Sequence, residues 1–296
     1  MNTQSCIYAF HSGAKMIHLH YFTEFKKKET VMKCFGVGLG DQAVMLQLGQ
    51  AFLDNPDPEL GNISVSFGTT TTALKPWKGD FNVWWAWGDR PDWINYYLHN
   101  TSYKPDLCLC PSFEVKKQIV EAGLYGIYCP LATGTVFHPL NLKRSGLGYA
   151  GLDSKSDKQK ELTISNYLER LEWHGRDSWT TLDKLNEFYN RKAALFGMIN
   201  ELSLSLEALP NRVFETLASD TPLIFPKHPG FMELFKKEYP WQTSSADETA
   251  KFVEEILADY PVASEKAQTW GKLVREEHSY ESRLNVLFSA LKELKR

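Results

Sequence analysis

Residues 206–226, which read LEALPNRVFETLASDTPLIFP, decide the fold of this chain. The first part predicts a helix over residues 210–218, because proline suits the first turn, where its missing N–H would have no partner. The apolar residues that follow recur at helical spacing. The run PLIF at residues 222–225 then predicts a buried strand. A helix followed by a short buried strand is typical of α/β folds with parallel sheets.

The same alternation of apolar runs and amphipathic stretches continues on both sides of this segment. In the first half we expect strands at residues 6–10, 16–22, 62–67, 81–86, 106–110 and 126–129, with helices at 40–53, 91–99 and 112–122. In the second half we expect strands at 146–150, 171–174 and 193–199, with helices at 156–168, 181–191, 247–258 and 279–295. The motif Ser245-x-x-Glu248 predicts a capping box at the start of one of these helices.

Residues 131–145 interrupt this alternation and predict a crossing between domains. We therefore expect an N-terminal acceptor-side domain at residues 1–140 and a C-terminal nucleotide-sugar-binding domain at 141–278. We expect a last helix at 279–296. Whether this helix packs back on the first domain is left open. The predicted fold class is α/β, with two Rossmann-like domains whose parallel sheets face each other across a ligand cleft.

Composition excludes several classes of protein. The chain is 43% hydrophobic and 23% charged, which is typical of a globular protein with a sizeable core. Its net charge of -3 disfavours electrostatically driven binding of nucleic acid. The five cysteines show no regular spacing, which indicates reduced thiols rather than disulfides or a zinc site. No apolar run approaches the ~20 residues that span a bilayer, so we expect a cytoplasmic protein.

The polar residues of the deciding segment point to a ligand with an anionic group. Asn211 and Arg212 stand at the predicted helix start, where unpaired N–H groups and the helix dipole favour anions. Glu215 lies one turn on and suits two vicinal hydroxyls, while Glu207 lies in the preceding loop. From the pattern alone, an amphipathic helix with a solvated Glu–Arg face is the favoured interpretation of these residues.

The run Asn-Arg-Val-Phe-Glu-Thr-Leu-Ala, followed by Thr-Pro-Leu-Ile, resembles the nucleotide-sugar motif of group 1 (family 4-like) glycosyltransferases of the GT-B fold. The spore-maturation-protein-like branch is the most similar, and the C-terminal run Glu-His-Ser-Tyr-Glu-Ser-Arg at 277–283 resembles its His-Ser/Thr-Tyr…Arg signature. The resemblance covers about residues 80–296. One departure is Asp220, which stands where the family usually has glycine and tolerates the same left-handed turn.

The resemblance implies a metal-independent transferase that needs no cofactor besides its co-substrate, a UDP- or GDP-linked sugar. Glu215 would hold the ribose hydroxyls, and Glu207 would contact the transferred sugar. Arg212 and the N–H groups near Asn211 would face the diphosphate. Further basic candidates follow the first strand of the second domain, at Lys155, Lys158 and Lys160, although a solvated face explains each of them as well.

Other candidates rest on their position in the predicted fold. Asp89 follows an apolar run, so we expect it at the end of a strand as an acceptor-activating base, or else as a helix cap. Gly36, Gly38 and Gly40 predict a strand-to-helix turn that approaches a phosphate or a sugar, or a plain tight turn. His228, beside Gly230, is the histidine that we expect at the donor. The tryptophans at 84, 85, 87 and 93 either stack on a ligand or fill the core.

The preferred hypothesis is a glycosyltransferase (hexosyl- or pentosyltransferase) acting on a hydroxyl acceptor. That acceptor is a glycan, a small molecule or a hydroxymethylated DNA base. The net charge does not support DNA, although the run Lys26-Lys27-Lys28 leaves it open. The alternative is a non-catalytic nucleotide- or sugar-binding module with a degenerate GT-B site.

Overall fold

The structure is a computed structural model of the 296-residue chain. It describes residues 4–10, 18–27, 30–37, 39–68, 79–87, 92–100, 104–151, 157–174, 181–199 and 201–296. The chain forms two compact units. Unit 1 comprises Met1–Gly134, Leu206–Ala208 and Tyr280–Arg296, and unit 2 comprises Thr135–Ser205 and Leu209–Ser279. Within the described ranges, no helix is long and apolar enough to cross a membrane.

The described strands are β1 (Gln4–Phe10), β2 (His18–Lys27), β3 (Thr30–Val37), β4 (Ile63–Phe67), β5 (Phe81–Trp85), β6 (Leu107–Cys110), β7 (Gly126–Tyr128), β8 (Leu147–Ala150), β9 (Leu171–His174), β10 (Ala194–Phe196), β11 (Leu223–Pro226) and β12 (Gln242–Thr243). The described α-helices are α1 (Leu39–Asp54), α2 (Trp93–Asn100), α3 (Phe113–Glu121), α4 (Asp157–Thr163), α5 (Leu182–Arg191), α6 (Glu201–Ser205), α7 (Asn211–Ala218), α8 (Pro229–Phe235), α9 (Ala246–Ala258), α10 (Tyr260–Glu277) and α11 (Tyr280–Lys295). A 3-10 helix at Ser165–Arg170 follows α4.

Unit 1 contains one sheet in the order β1-β2-β3-β4-β5-β6-β7 over its described residues. The first three strands are antiparallel, and β3 to β7 are parallel. The strand expected at 16–22 overlaps β2 from His18 onward, β2 extends to Lys27, and β3 was not predicted. The parallel strands β4 and β6 are buried along their whole length. This burial explains the continuous apolar sequence LCLC of β6, whereas β4 (ISVSF) also buries two serines.

Three of the predicted tryptophans, Trp84, Trp85 and Trp93, are buried in the core of unit 1, whereas Trp87 is half-buried. The rings of Trp84 and Tyr97 stack with their centroids 3.6 Å apart, and Trp85 is fully buried. Helix α11 also belongs to this unit. The backbone N–H of Tyr280 donates to the carbonyl of Thr133 at 2.9 Å, and Arg283 Nε donates to the carbonyl of Pro130 at 2.8 Å. These contacts attach the last helix to the end of the first segment of the chain.

Unit 2 contains one sheet in the order β12-β11-β10-β8-β9, and all of its described pairings are parallel. Helix α9 is capped as the sequence predicts. The Ser245 hydroxyl accepts from the N–H of Glu248 at 3.1 Å, and the Glu248 carboxylate accepts from the N–H of Ser244 at 2.6 Å. The predicted α/β class and its two Rossmann-like regions are therefore confirmed.

The cysteines are free thiols wherever their side chains are described. Burial raises the pKa of each of them above the ordinary value, so they are neutral and unreactive at physiological pH. They are Cys34, Cys108, Cys110 and Cys129. The expectation of buried reduced thiols is confirmed for these four residues.

Candidate functional site

Helix α7 brings the polar residues of the deciding segment together. Pro210 directly precedes the helix with an extended backbone, so the helix begins at Asn211, one residue later than predicted. Proline favours this boundary because it lacks an N–H and holds φ near the value that it has here. The side chains of Val213, Phe214 and Leu217 are buried against the unit.

Glu215 is buried, with only 1% of its surface exposed. Asn211 Nδ2 donates to its Oε1 at 3.0 Å, and the hydroxyl of Tyr189 on α5 donates to its Oε2 at 3.4 Å. The alternative of a solvated helix face therefore does not hold for Glu215.

Arg212 lies beside this carboxylate and over an aromatic ring. Its guanidinium carbon is 5.2 Å from the ring centroid of Tyr149 on β8. Burial acts to lower the pKa of Arg212. Attraction to the hydroxyls of Tyr149 and Tyr189 and to the Glu215 carboxylate outweighs burial and raises the pKa above its ordinary value. The guanidinium therefore stays a cation inside the unit.

Gly151, at the carboxyl end of β8, leaves the space that Arg212 occupies. A β-carbon at this position would lie 2.5 Å from Nη2 of Arg212 and 2.6 Å from the Tyr149 hydroxyl. The φ angle of Gly151 is also positive, at +149°. A larger residue would have to displace the guanidinium or its aromatic support. We call Tyr149, Gly151, Tyr189, Arg212 and Glu215 the arginine cradle.

The arginine cradle combines groups that recognise phosphate and hydroxyls. A permanently charged planar guanidinium binds phosphate oxygens in pairs. The neighbouring carboxylate of Glu215 accepts hydrogen bonds from hydroxyls. Burial raises the pKa of Tyr189 well above its ordinary value, and the nearby Glu215 adds to that rise, so its hydroxyl stays neutral and hydrogen-bonded. The cradle therefore suits a ligand that carries both a phosphate and vicinal hydroxyls.

Glu207 lies in a turn outside unit 2. Residues Leu206–Ala208 belong to unit 1, where the Leu206 carbonyl accepts from the hydroxyl of Ser112 at 2.5 Å. Glu207 itself has a φ of +55°, in the left-handed region, which is uncommon for a residue with a β-carbon. Its side chain is half-buried. This turn precedes α7, as the spacing of the two glutamates predicts.

His228 follows β11 and immediately precedes α8. Only 2% of its surface is exposed, and burial lowers the pKa of its imidazole to about 4, with the backbone of Ser203 acting in the opposite direction. The neighbouring Gly230 is buried in α8. These two predicted residues thus lie at the carboxyl end of the sheet, although in the interior of the unit.

The remaining predicted residues make no described contact with the cradle or fall outside the described residues. Asp89, Lys155 and Gly38 fall outside them. Lys158 is exposed on α4. Gly36 lies in β3 and Gly40 in the first turn of α1, and their predicted approach to a phosphate or a sugar stays a prediction. The described residues contain no group of three His, Cys, Asp or Glu side chains arranged to hold a metal ion.

The sequence did not single out Tyr149, Gly151 or Tyr189. Tyr149 lies in a strand that the apolar pattern predicts, and Gly151 follows it. A glycine at the carboxyl end of the first strand of an α/β unit is a signal for close approach of a ligand or side chain. Tyr189 carries no such signal, since its contact with Glu215 joins residues 26 positions apart.

The comparisons with known proteins agree with this chemistry over part of the chain. A family model described as "Glycosyl transferase-like" matches residues 156–289, a stretch that includes the helix of the cradle. No sequence among the curated proteins matches. The particular branch expected from the sequence is not distinguished by this match.

Two glycosyltransferase structures show a weak overall likeness. One is CalG4, the calicheamicin glycosyltransferase, at 12% identity over 88% of this chain and 82% of that chain, with a TM-score of 0.34. The other is SnogD from Streptomyces nogalater, at 11% identity over 85% of this chain and 78% of that chain, with a TM-score of 0.28. We base no conclusion on TM-scores of this size.

Proposed function

We propose that this protein transfers a sugar from a nucleoside diphosphate to a hydroxyl acceptor without a metal ion. The observation that carries the proposal is the Arg212 cation, stacked on Tyr149, within electrostatic reach of the buried Glu215 carboxylate at the start of α7. This pair lies within the glycosyltransferase-like region at 156–289. The proposal also assigns the chain to the GT-B class, with the donor bound in unit 2.

The cradle supplies donor recognition in this proposal. Arg212 and the first N–H groups of α7 face the diphosphate, because both favour negative charge. Glu215 accepts from the two ribose hydroxyls, and Asn211 and Tyr189 hold its carboxylate in place. These contacts make affinity for the nucleoside diphosphate depend on residues that are already fixed before the ligand arrives.

During transfer, the bond between the anomeric carbon and the diphosphate oxygen breaks, and its electron pair leaves with the diphosphate. Arg212 stabilises the negative charge that builds up on this leaving group, which replaces the role that a metal ion plays elsewhere. The acceptor oxygen forms the new bond to the anomeric carbon and gives its proton to a carboxylate. We propose Asp89 or Glu207 for that step, and the left-handed backbone of Glu207 supports it as a functional position.

We further propose that unit 1 binds the acceptor and that the protein acts in the cytoplasm. The four buried free thiols support a reducing compartment. A small molecule or a glycan is the favoured acceptor, because a net charge of -3 gives little attraction for DNA.

Calorimetric titration with UDP and with GDP tests donor binding. We expect either UDP or GDP to bind the wild type. Glu215→Gln should weaken binding of that nucleotide at least tenfold, because a glutamine amide accepts hydrogen bonds at only one of the two positions where the carboxylate accepts them. Glu187→Gln is the matched control, since Glu187 is an exposed glutamate of α5 that pairs only with Arg191 in the described contacts. Unchanged affinity in Glu215→Gln would remove the basis of the proposal.

A mass-spectrometric screen of nucleotide sugars then tests transfer itself. We expect slow hydrolysis of one donor in the absence of acceptor, with release of the nucleoside diphosphate. Binding of a nucleoside diphosphate without turnover of any donor, with or without a panel of hydroxyl acceptors, would instead establish a non-catalytic binding module.

A further inference from the structure

The imidazole of His228 is buried, with only 2% of the residue's surface exposed. Neither Nδ1 nor Nε2 makes a hydrogen bond of normal geometry to any described residue, although the backbone of Ser203 lies close enough to the ring to oppose, in part, the lowering of its pKa by burial. Buried polar atoms in folded proteins nearly always have a partner, either in the protein or in a bound molecule. The backbone of Ser203 can serve one ring nitrogen, so the other nitrogen indicates a ligand or an ordered water.

A second unpartnered group lies next to this imidazole. The side-chain oxygen of Gln242, in β12, accepts from the backbone N–H of His228 at 3.4 Å. The other end of the same amide, Nε2, is buried and has no partner among the described residues. The two side chains thus contribute one ring nitrogen and one amide nitrogen to the same part of the unit.

The sheet of unit 2 places these groups beside the arginine cradle. His228 follows β11, and Gly151 of the cradle follows β8. In the sheet order only β10 separates these two parallel strands, so their carboxyl ends lie about 10 Å apart. Helix α6 follows β10, and the backbone of Ser203 in that helix lies against the His228 ring. The two sets of polar groups are therefore neighbours along one edge of one sheet.

We propose that His228 and Gln242 form the subsite for the transferred sugar of the donor. A neutral imidazole offers one hydrogen-bond donor and one acceptor, and the amide nitrogen offers two donors. This set matches the vicinal hydroxyls of a neutral sugar, each of which both donates and accepts. It does not match a second phosphate, which would need a cation. The lowered pKa of His228 agrees, because the ring stays uncharged at neutral pH.

The spacing along the sheet edge fits the same ligand. In a nucleotide sugar, the sugar is bonded directly to the terminal phosphate of the diphosphate. The carboxyl ends of β11 and β8 are about 10 Å apart, which leaves room for the diphosphate at the arginine cradle and the sugar at His228. This inference rests on the proposed function, since it assigns the sugar end of a donor whose diphosphate and ribose are assigned to Arg212 and Glu215.

The test compares each nucleotide with its own sugar conjugate. Calorimetry measures the affinities of wild type, His228→Phe and Gln242→Leu for UDP, UDP-glucose, UDP-galactose, UDP-N-acetylglucosamine, GDP and GDP-mannose. We expect both variants to keep the wild-type affinity for the free nucleoside diphosphate. For one nucleotide sugar, their affinity should be about tenfold lower than that of the wild type. Gln242→Leu serves on its own if His228→Phe does not fold. His278→Phe is the control, because His278 is a buried histidine of the same unit that packs against Phe214 and Phe235.

The outcomes separate this subsite from the proposed function. In one outcome, Glu215→Gln lowers the affinity for the nucleoside diphosphate, but neither His228→Phe nor Gln242→Leu selectively lowers the affinity for any nucleotide sugar. The proposed subsite is then wrong, and an ordered water fills the space. If the wild type binds no sugar conjugate more tightly than its free diphosphate, the subsite is also wrong. If no nucleotide binds at all, the proposed function fails and the subsite fails with it. A selective loss that is equally large in His278→Phe would indicate a general disturbance and would overturn the assignment.

Discussion

His228→Phe should change how stability depends on pH. In the folded protein, burial lowers the pKa of His228 from 6.5 to about 4. The unfolded chain therefore binds more protons than the native state between these two values. The free energy of unfolding of the wild type must then fall as the pH falls through this window, and the contribution is fully present only above the unfolded pKa.

The magnitude follows from the size of the shift. One pKa unit corresponds to about 1.4 kcal/mol, so the full effect is about 3 kcal/mol, of which about 2.5 kcal/mol has developed at pH 4.5. The variant lacks the titrating group and escapes this loss. His174, whose pKa is also lowered by burial, remains in both proteins and cancels in the comparison.

Urea unfolding at pH 7.5, 6.5, 5.5 and 4.5, followed by tryptophan fluorescence, measures the effect. We expect the wild type to lose about 2.5 kcal/mol more than His228→Phe between the highest and the lowest pH. The comparison uses the transition of unit 2 if the two units unfold separately. Parallel curves that differ by a constant amount would show that folding does not shift the pKa of His228, and would refute the interpretation of a buried ring that stays neutral.

Three further predictions concern Gly151 of the cradle and the ion pair between Asp220 and Arg275. Gly151→Ala should weaken binding of UDP or GDP at least tenfold, because its β-carbon displaces the Arg212 guanidinium. Gly146→Ala is the control, since the φ of Gly146 is also positive, at +66°, but nothing lies within 4 Å of the added carbon. Calorimetry measures nucleotide affinity for both variants. An equal loss of affinity in both would show that backbone strain alone causes the effect. Asp220→Gly should change the free energy of unfolding by less than about 1 kcal/mol, because relief of the left-handed backbone (φ +53°) offsets loss of the ion pair to Arg275. Arg275→Met should lower the free energy of unfolding by about 1–3 kcal/mol, because it leaves the largely buried carboxylate of Asp220 without its ion-pair partner. Urea unfolding measures this loss. A loss smaller than that of Asp220→Gly would contradict the explanation.

The parts of the fold that depend on local sequence could be predicted. The capping box at Ser245 and Glu248 lies within four residues, and its geometry is fixed by side chains that reach their own backbone. The strand β11 was predicted because a run of apolar residues bounded by prolines suits a strand buried on both faces. The left-handed backbone of Asp220 followed from the glycine that the family has at that position.

Other parts depend on contacts between distant residues and could not be predicted. The sequence shows that Asn211, Arg212 and Glu215 share the start of a helix. It does not show that Tyr149 and Tyr189 lie against that start, because their positions depend on which strands and helices pack together. The strand β3 was missed for a different reason, since its sequence TVMKCFGV ends in the glycines that suggested a turn.

The composition of unit 1 has a consequence for the order in which the chain acquires its structure. This unit takes three residues from the middle of the chain and its final helix from Tyr280–Arg296. Unit 2 needs nothing beyond Ser279. During synthesis from the N-terminus, unit 2 can therefore reach its native state before unit 1, which must wait until residues 280–296 have left the ribosome. A stop codon placed before α11 would damage the part of the molecule that was made first.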